Sequence, residues 1–273
     1  MAISAAMVKA LREKTGLPMM ECKKALGEAN GDMDQAVELL RKKGMAQLGK
    51  RAGRATGQGR LTCHAEGGRV ALVEMLCETE PVAGTEDFLK LGDMAAKVAV
   101  KLDSPTPETL LDQPMPDDAS RKISDFLHDV VNRIRENIKV GRVGVVHGHA
   151  ASYVHHDGRK GVVVEFNGEC PAEMANDVCM HVAAMRPMHT RREEVDAALV
   201  ESERQVAREQ VQGKPENIVE KIVDGKINKW YGEIVLLEQP FVKDDKQSVG
   251  QVLKTHAPNL TINRFLRFEV GEA

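Results

Sequence analysis

Residues 60–77 read RLTCHAEGGRVALVEMLC, and residues 151–167 read ASYVHHDGRKGVVVEFN. Each stretch holds two runs of strand-forming residues around a turn, Glu66-Gly67-Gly68 in the first and His156-Asp157-Gly158 in the second. Glycine at such turns supplies the backbone conformations that a tight hairpin needs. A helical pattern follows each hairpin. Over 85–102, Phe88, Leu91, Met94 and Val98 recur at helical spacing, and over 171–185 Met174, Val178 and Val182 do the same. Two hairpin-plus-helix units in one chain predict an α+β fold with a duplicated core, two small antiparallel sheets each packed with helices.

Upstream, the first 44 residues predict a compact three-helix unit. Ser4 is placed to cap a helix ending at Thr15, with Met7, Val8 and Leu11 on one stripe and Gly16 as its stop. Pro18 suits a first helical position, where its missing N–H has no partner in any case. A second helix runs to Ala29 and ends at Asn30-Gly31. Asp32 with Gln35 resembles a capping box for a third helix carrying Met33, Ala36, Val37 and Leu40, which Gly44 closes. Met19 and Met20 are adjacent at the start of the second helix. Flexible, polarizable side chains of this kind suit a docking surface, and filling a small core is the plainer alternative.

The stretch GMAQLGKRAGRATGQGR, from Gly44, reads as a linker, helical at most at its start. Its Lys50, Arg51, Arg54 and Arg60 are ordinary for a solvated segment. Between the two units, SPTPETLLDQPMP is a proline-rich connection, followed by a helix over 120–138 and a strand from Val140. The second unit is interrupted at about 187–231 by a helical hairpin, with Val195, Leu199 and Val206 on one arm and Ile218, Ile222 and Val223 on the other, turning at Gly213-Lys214-Pro215. A coiled-coil arm is predicted. A strand over 233–237, a helix capped by Ser248 with Gln251, and the strand TINRFLRFEV complete the chain. The domains are thus 1–54, 55–139 and 140–273.

Composition narrows the function. The chain has 273 residues and a net charge of −3, with 29% charged and only 3% aromatic residues. That balance argues against a polybasic nucleic-acid binder and against stacking platforms for single strands, so no direct nucleic-acid binding is expected. Cys22, Cys63, Cys77, Cys170 and Cys179 are scattered and never spaced C-x-x-C, which fits a reducing cytoplasm. No signal peptide or membrane span is expected. No phosphate loop, nucleophile elbow or zinc-helix motif occurs. His147 and His149 share a strand face, but no thiolate or carboxylate accompanies them at ligand spacing. Much surface and no visible active site favour a protein that binds another protein, with neither cofactor nor catalytic residue.

Several stretches together resemble the bacterial elongation factor Ts family: TGLPMMECKKAL at 15–26, EANGDMDQAVELLRKKG at 28–44, RENI at 135–138, SYVHH at 152–156, HVAAMRP at 181–187, VQGKPENIVEKIVDGKINKW at 211–230, QPFV at 239–242 and RFEVGE at 267–272. The resemblance implies an N-terminal domain of the ubiquitin-associated type ahead of the duplicated core. It also implies guanine nucleotide exchange on elongation factor Tu, bound in its GDP-loaded and nucleotide-free forms. Met19 and Met20 match methionines that dock on the partner's nucleotide domain. Thr79, Glu80, Pro81 and Val82 match the tetrapeptide tied to magnesium displacement, and His155 falls near the histidine of the second subdomain that meets another partner domain. Ile134 and Arg135 are further partner-binding candidates. The family tetrapeptide is usually Thr-Asp-Phe-Val. Here Glu80 keeps the carboxylate on a longer arm, and Pro81 supplies no aromatic ring. The rival readings are a ubiquitin-type or nascent-chain adaptor without exchange activity, suggested by the N-terminal helices alone, and a metal enzyme built on His147 and His149.

Overall fold

The computed structural model describes residues 3–211 and 215–272. Its α+β chain divides into two compact units, one of Met1–His64, Val73–Gly144 and Glu269–Ala273, the other of Ala65–Leu72 and Val145–Phe268.

The N-terminal helices are α1 (Ala5–Thr15), α2 (Met19–Glu28) and α3 (Met33–Arg51). Ser4 Oγ accepts the Met7 N–H at 3.2 Å, and Gly16 ends α1 in the left-handed region at φ 70°. Pro18 stands one residue earlier than expected, as the N-cap of α2. Asp32 Oδ1 accepts the N–H groups of Asp34 and Gln35, each at 2.9 Å, so Asp32 caps the first turn of α3, but its own N–H donates to Ala29 O and the return half of a capping box is not made. Val8, Leu11, Cys22, Ala25, Leu26, Ala29, Ala36 and Leu40 are the buried core of the three helices. Gly44, however, does not close α3, which continues seven residues further to Arg51. A Cβ at Gly44 would lie 2.1 Å from the Asn132 amide, so glycine there serves a close approach to the helix α7 (Ile123–Ile134). The linker shrinks accordingly.

Two strands, β1 (Gln58–Glu66) and β2 (Arg69–Cys77), form the first hairpin, and β5 (Lys139–His147) joins it in the order β1-β2-β5. The central strand β2 is buried almost throughout, which is why its apolar residues run on without alternation. A single helical turn, α4 (Glu80–Ala83), precedes α5 (Glu86–Ala99), whose Phe88, Leu91, Met94 and Ala95 are buried. The proline-rich connection is more structured than expected. It contains α6 (Pro107–Leu111), capped by Thr106, and a small hairpin of β3 (Pro114–Met115) and β4 (Asp118–Lys122) leading into α7. That hairpin occupies the start of the helix expected over 120–138.

The second hairpin is β6 (His149–Val154) with β7 (Lys160–Phe166), antiparallel from His149↔Phe166 to Val154↔Gly161. The last strand, β10 (Ile262–Glu269), joins it in the order β6-β7-β10, the arrangement of the first sheet. α8 (Ala172–Met185), β8 (Pro240–Phe241), β9 (Asp244–Ser248) and α11 (Val249–His256) repeat α5, β3, β4 and α7 in the same order. The duplication extends to single bonds. Pro114 pairs Lys122 and Met115 pairs Asp118; Pro240 pairs Ser248 and Phe241 pairs Asp244. The Ile123 N–H donates to Gln113 O at 2.9 Å, and the Val249 N–H donates to Gln239 O at 3.0 Å. The sequence motif behind this repeat is Gln-Pro-apolar at 113–115 and 239–241.

The helical arm consists of α9 (Ala197–Glu209) and α10 (Glu216–Ile234). The Gly213-Lys214 part of the expected turn lies outside the described residues. The seam is formed by Ala207, Val211, Val223 and Ile227. The expected stripe is met in part: Val223 lies in the seam, Ile222 packs against it and Val195 is buried, whereas Leu199, Val206 and Ile218 are exposed. Small Ala207 at the seam lets the helices approach where Val206 would hold them apart. The strand expected over 233–237 is also absent. α10 runs to Ile234, a 3-10 turn follows at Leu236–Glu238, and only the isolated bridge His189↔Val235 remains of strand pairing there.

Candidate functional site

Met19 and Met20 open α2, with 48% and 74% of their surface exposed. Met7 and Met33 pack against the core of the three-helix unit instead. The plainer reading of Met19 and Met20 as core filler therefore does not hold. Glu21 follows them, and Arg135 forms an ion pair with it.

Arg135 caps α7 at φ 69°, a left-handed conformation that ends the helix with its N–H on Val131 O. The three residues from Arg135 on grip three separate segments. Arg135 holds α2 through Glu21. Glu136 accepts the Glu78 N–H at 3.1 Å and the Thr79 N–H at 3.0 Å on one oxygen, and the Thr79 hydroxyl at 2.6 Å on the other. Asn137 is 7% exposed, and its amide donates to the carbonyls of Arg54, at 2.8 Å, and Ala52, at 3.3 Å. The exchange is reciprocal, because the Asn137 N–H donates to Glu78 Oε1 at 2.7 Å. That backbone bond, helped by Arg54 at 3.2 Å, holds the Glu78 carboxyl below the usual carboxylate range.

The stretch thus clasped carries the tetrapeptide. Thr79 sits at the N-cap of α4, yet its hydroxyl donates to Glu136 and caps nothing. Pro81 stands in the first turn of α4, where a missing N–H removes no helical bond. On the far side the Thr85 N–H and hydroxyl both donate to Val82 O, at 3.0 and 2.8 Å, and Ala83 is buried. Glu80 and Pro81 are left exposed on a turn fixed at both ends. Arg133, two residues before Arg135, forks onto Asp87 of α5 at 2.9 and 2.8 Å. Ile134, half-buried, is the last residue of α7.

The structure therefore brings Met19, Met20, Thr79, Glu80, Pro81, Val82, Ile134 and Arg135 into one unit. His155 belongs to the other. It sits just after β6, half-buried, with its Nδ1 2.7 Å from the Tyr153 hydroxyl and its ring 4.2 Å from that of His156. Glu78, Glu136 and Asn137 were missed as members of the site. For Glu136 and Asn137 the signal was a polar pair following a helix end in RENI, for Glu78 there was none, and the bonds that join them to one another and to Thr79 span 57 to 59 residues. His147 and His149 end β5 and begin β6, and among the described residues no three His, Cys, Asp or Glu side chains come together as metal ligands would. No helix among the described residues is long and apolar enough to cross a membrane.

Residues 78–272 match the family model described as elongation factor TS. The elongation factor Ts of Methylococcus capsulatus is 43% identical, the match covering 100% of this chain and 93% of that protein. Its counterparts in Clostridium botulinum and Aquifex aeolicus are 41% and 40% identical, each match covering 99% of this chain and, respectively, 93% and 99% of theirs. Likeness of this extent defines a translation elongation factor. Within that class, the chain belongs to the elongation factor Ts family.

Proposed function

We propose that the chain is a guanine nucleotide exchange factor that acts on elongation factor Tu in the cytoplasm, without covalent chemistry of its own. The observation that carries this is the exposed Glu80-Pro81 pair on a turn clasped by Glu136, in the same unit as exposed Met19 and Met20. The turn is the lever and the methionines are the anchor, with residues 1–54 as the docking module and His155 a contact of the second core subdomain.

A magnesium ion bridging nucleotide phosphates is a large local charge, and its loss weakens nucleotide binding. An exposed carboxylate delivered beside that ion competes for it. Pro81 has no ring to prise helices apart, so this chain's turn works by placement. The factor binds the vacant GTPase more tightly than the loaded one. By reciprocity, whatever it takes from GDP affinity GDP takes from factor affinity, about 1.4 kcal/mol for each tenfold. Release is accelerated, while the equilibrium between free GDP and GTP is untouched.

Stopped-flow release of fluorescent GDP from elongation factor Tu tests this. Wild type should speed release, and Glu80→Ala with Pro81→Ala should slow it. An unchanged rate in the double variant removes the lever from residues 79–82.

A further inference from the structure

We infer that Glu136 is the positioning residue of the exchange turn, and that Arg135 and Asn137 beside it make the lever and the anchor one mechanical piece. The inference rests on the exchange reading and adds to it what orients Glu80.

A turn of four residues with two exposed members has no core of its own to fix it. Here the fixing comes from outside. One carboxylate accepts three hydrogen bonds from Glu78 and Thr79, the residues immediately before Glu80. Charge-assisted bonds of this kind are short and strong compared with neutral ones. They engage both donors of Thr79, whose hydroxyl is turned to Glu136 and accepts no N–H of α4. The return bond from the Asn137 N–H to Glu78 closes a ring of two carboxylates and two backbone segments, so neither segment shifts without the other. Arg135 then extends the ring to Glu21, one residue from Met20 on α2. Glu80 and Met20 are thereby tied through three consecutive residues at the end of α7. The consequence is a fixed spacing between what grips the GTPase and what disturbs its magnesium. A lever that lacks an aromatic wedge depends on such spacing, because a group displaced by about 1 Å from its productive position can lose up to about a hundredfold in rate.

The test uses the full chain and elongation factor Tu loaded with fluorescent GDP, with the factor titrated to saturation in a stopped-flow instrument. Glu136→Ala should lower the plateau release rate about tenfold while moving the half-saturating concentration less than about threefold, since the methionines are untouched. Glu136→Gln keeps one acceptor oxygen and should fall between, as should Thr79→Val, which removes only the 2.6 Å bond. A merely structural loss would deplete active factor and shift half-saturation, leaving the plateau in place. In the free protein, amide exchange followed by mass spectrometry should quicken over 79–83 in Glu136→Ala. An unchanged plateau, or unchanged amide exchange, overturns the assignment, and if Glu136→Ala fails to fold, the Gln and Val variants decide by the same two measurements. If wild type itself fails to speed GDP release, the exchange reading falls and this assignment with it.

Discussion

Arg142 of β5 forks onto Glu74 of β2, its Nε and Nη2 each 2.9 Å from a different carboxylate oxygen, and the Glu74 side chain is only 3% exposed. The same Nη2 also donates to Glu269 O at 2.6 Å. A buried carboxylate on a central strand is tolerated because the fork satisfies it. Glu74→Ala removes the carboxylate from an arginine whose side chain is 30% exposed. The cost should be about 2–3 kcal/mol, below that for a wholly buried pair, because water reaches the arginine. Gly141→Ala should strain the same spot, since a Cβ there would lie 2.5 Å from Glu74 Oε2. Urea unfolding of both variants measures this. A midpoint equal to wild type in Glu74→Ala would show that the fork contributes nothing.

A pH dependence is built into the second unit. His181 of α8 is fully buried. Its Nδ1 accepts the Val242 N–H at 3.2 Å, which leaves Nε2 to carry the proton toward Gln239 Oε1 at 3.0 Å. Burial lowers its pKa, against the opposing effect of the hydrogen bond it donates to Gln239. The ring is thus held neutral, and protonating Nδ1 would set two N–H groups against each other. The unfolded chain takes up a proton as pH falls below the ordinary histidine value of about 6.5, while the folded chain resists it. The contribution is fully present above that pH and should be lost progressively from about pH 6.5 downward. Half-buried His128, on α7 of the first unit, is shifted the same way, by burial first, and adds a like slope there. Urea midpoints between about pH 7.5 and 5 should fall in wild type and fall less steeply in His181→Gln, whatever that variant's absolute stability.

The two hairpins were legible because Gly67-Gly68 and Gly158 punctuate runs of β-branched residues, and local chemistry decides such turns. The capping of α1 and α3 was legible for the same reason. The β3–β4 and β8–β9 hairpins were not, because strands such as Asp118–Lys122 and Asp244–Ser248 are polar and carry no strand propensity; pairing with a Gln-Pro segment makes them. Gly44 misled because a helix stop and a close approach both call for glycine, and only the neighbouring Asn132 distinguishes them. At the site, Met19 and Met20 could be picked out by their unusual adjacency. Glu136 could not, since its partners are distant in the chain and any acidic residue after a helix reads as solvated.

At the base of the arm, Arg192 shows why arginine and lysine differ. Its Nε and Nη2 both donate to Glu238, its Nη1 donates to Asn228 Oδ1 at 3.0 Å, and its guanidinium lies 4.3 Å from the centre of the Tyr231 ring. Lysine offers one point charge and cannot fork and stack at once. Arg192→Lys should cost about 1 kcal/mol, a modest figure because the arginine side chain is 41% exposed. Amide exchange should rise in α10 near Tyr231 more than in the sheet β6-β7-β10. Equal protection in wild type and Arg192→Lys would mean that charge alone suffices there.

The methionine pair separates binding from folding. Met20, at 74% exposure on the first turn of α2, has little packing to lose. Alanine is also the better helix former. Met20→Ala should therefore leave the urea midpoint within the equivalent of about 0.5 kcal/mol of wild type. Its affinity for nucleotide-free elongation factor Tu should nevertheless fall about five- to thirtyfold, or about 1–2 kcal/mol, as expected for an apolar anchor that becomes buried only on docking. The plateau rate of GDP release should stay close to wild type, because the clasped turn is intact once the complex forms. Calorimetric titration and the release assay, run on one preparation, read these quantities together. An affinity equal to wild type would take Met20 out of the interface, while a fallen plateau at full saturation would show that the anchor also moves the lever.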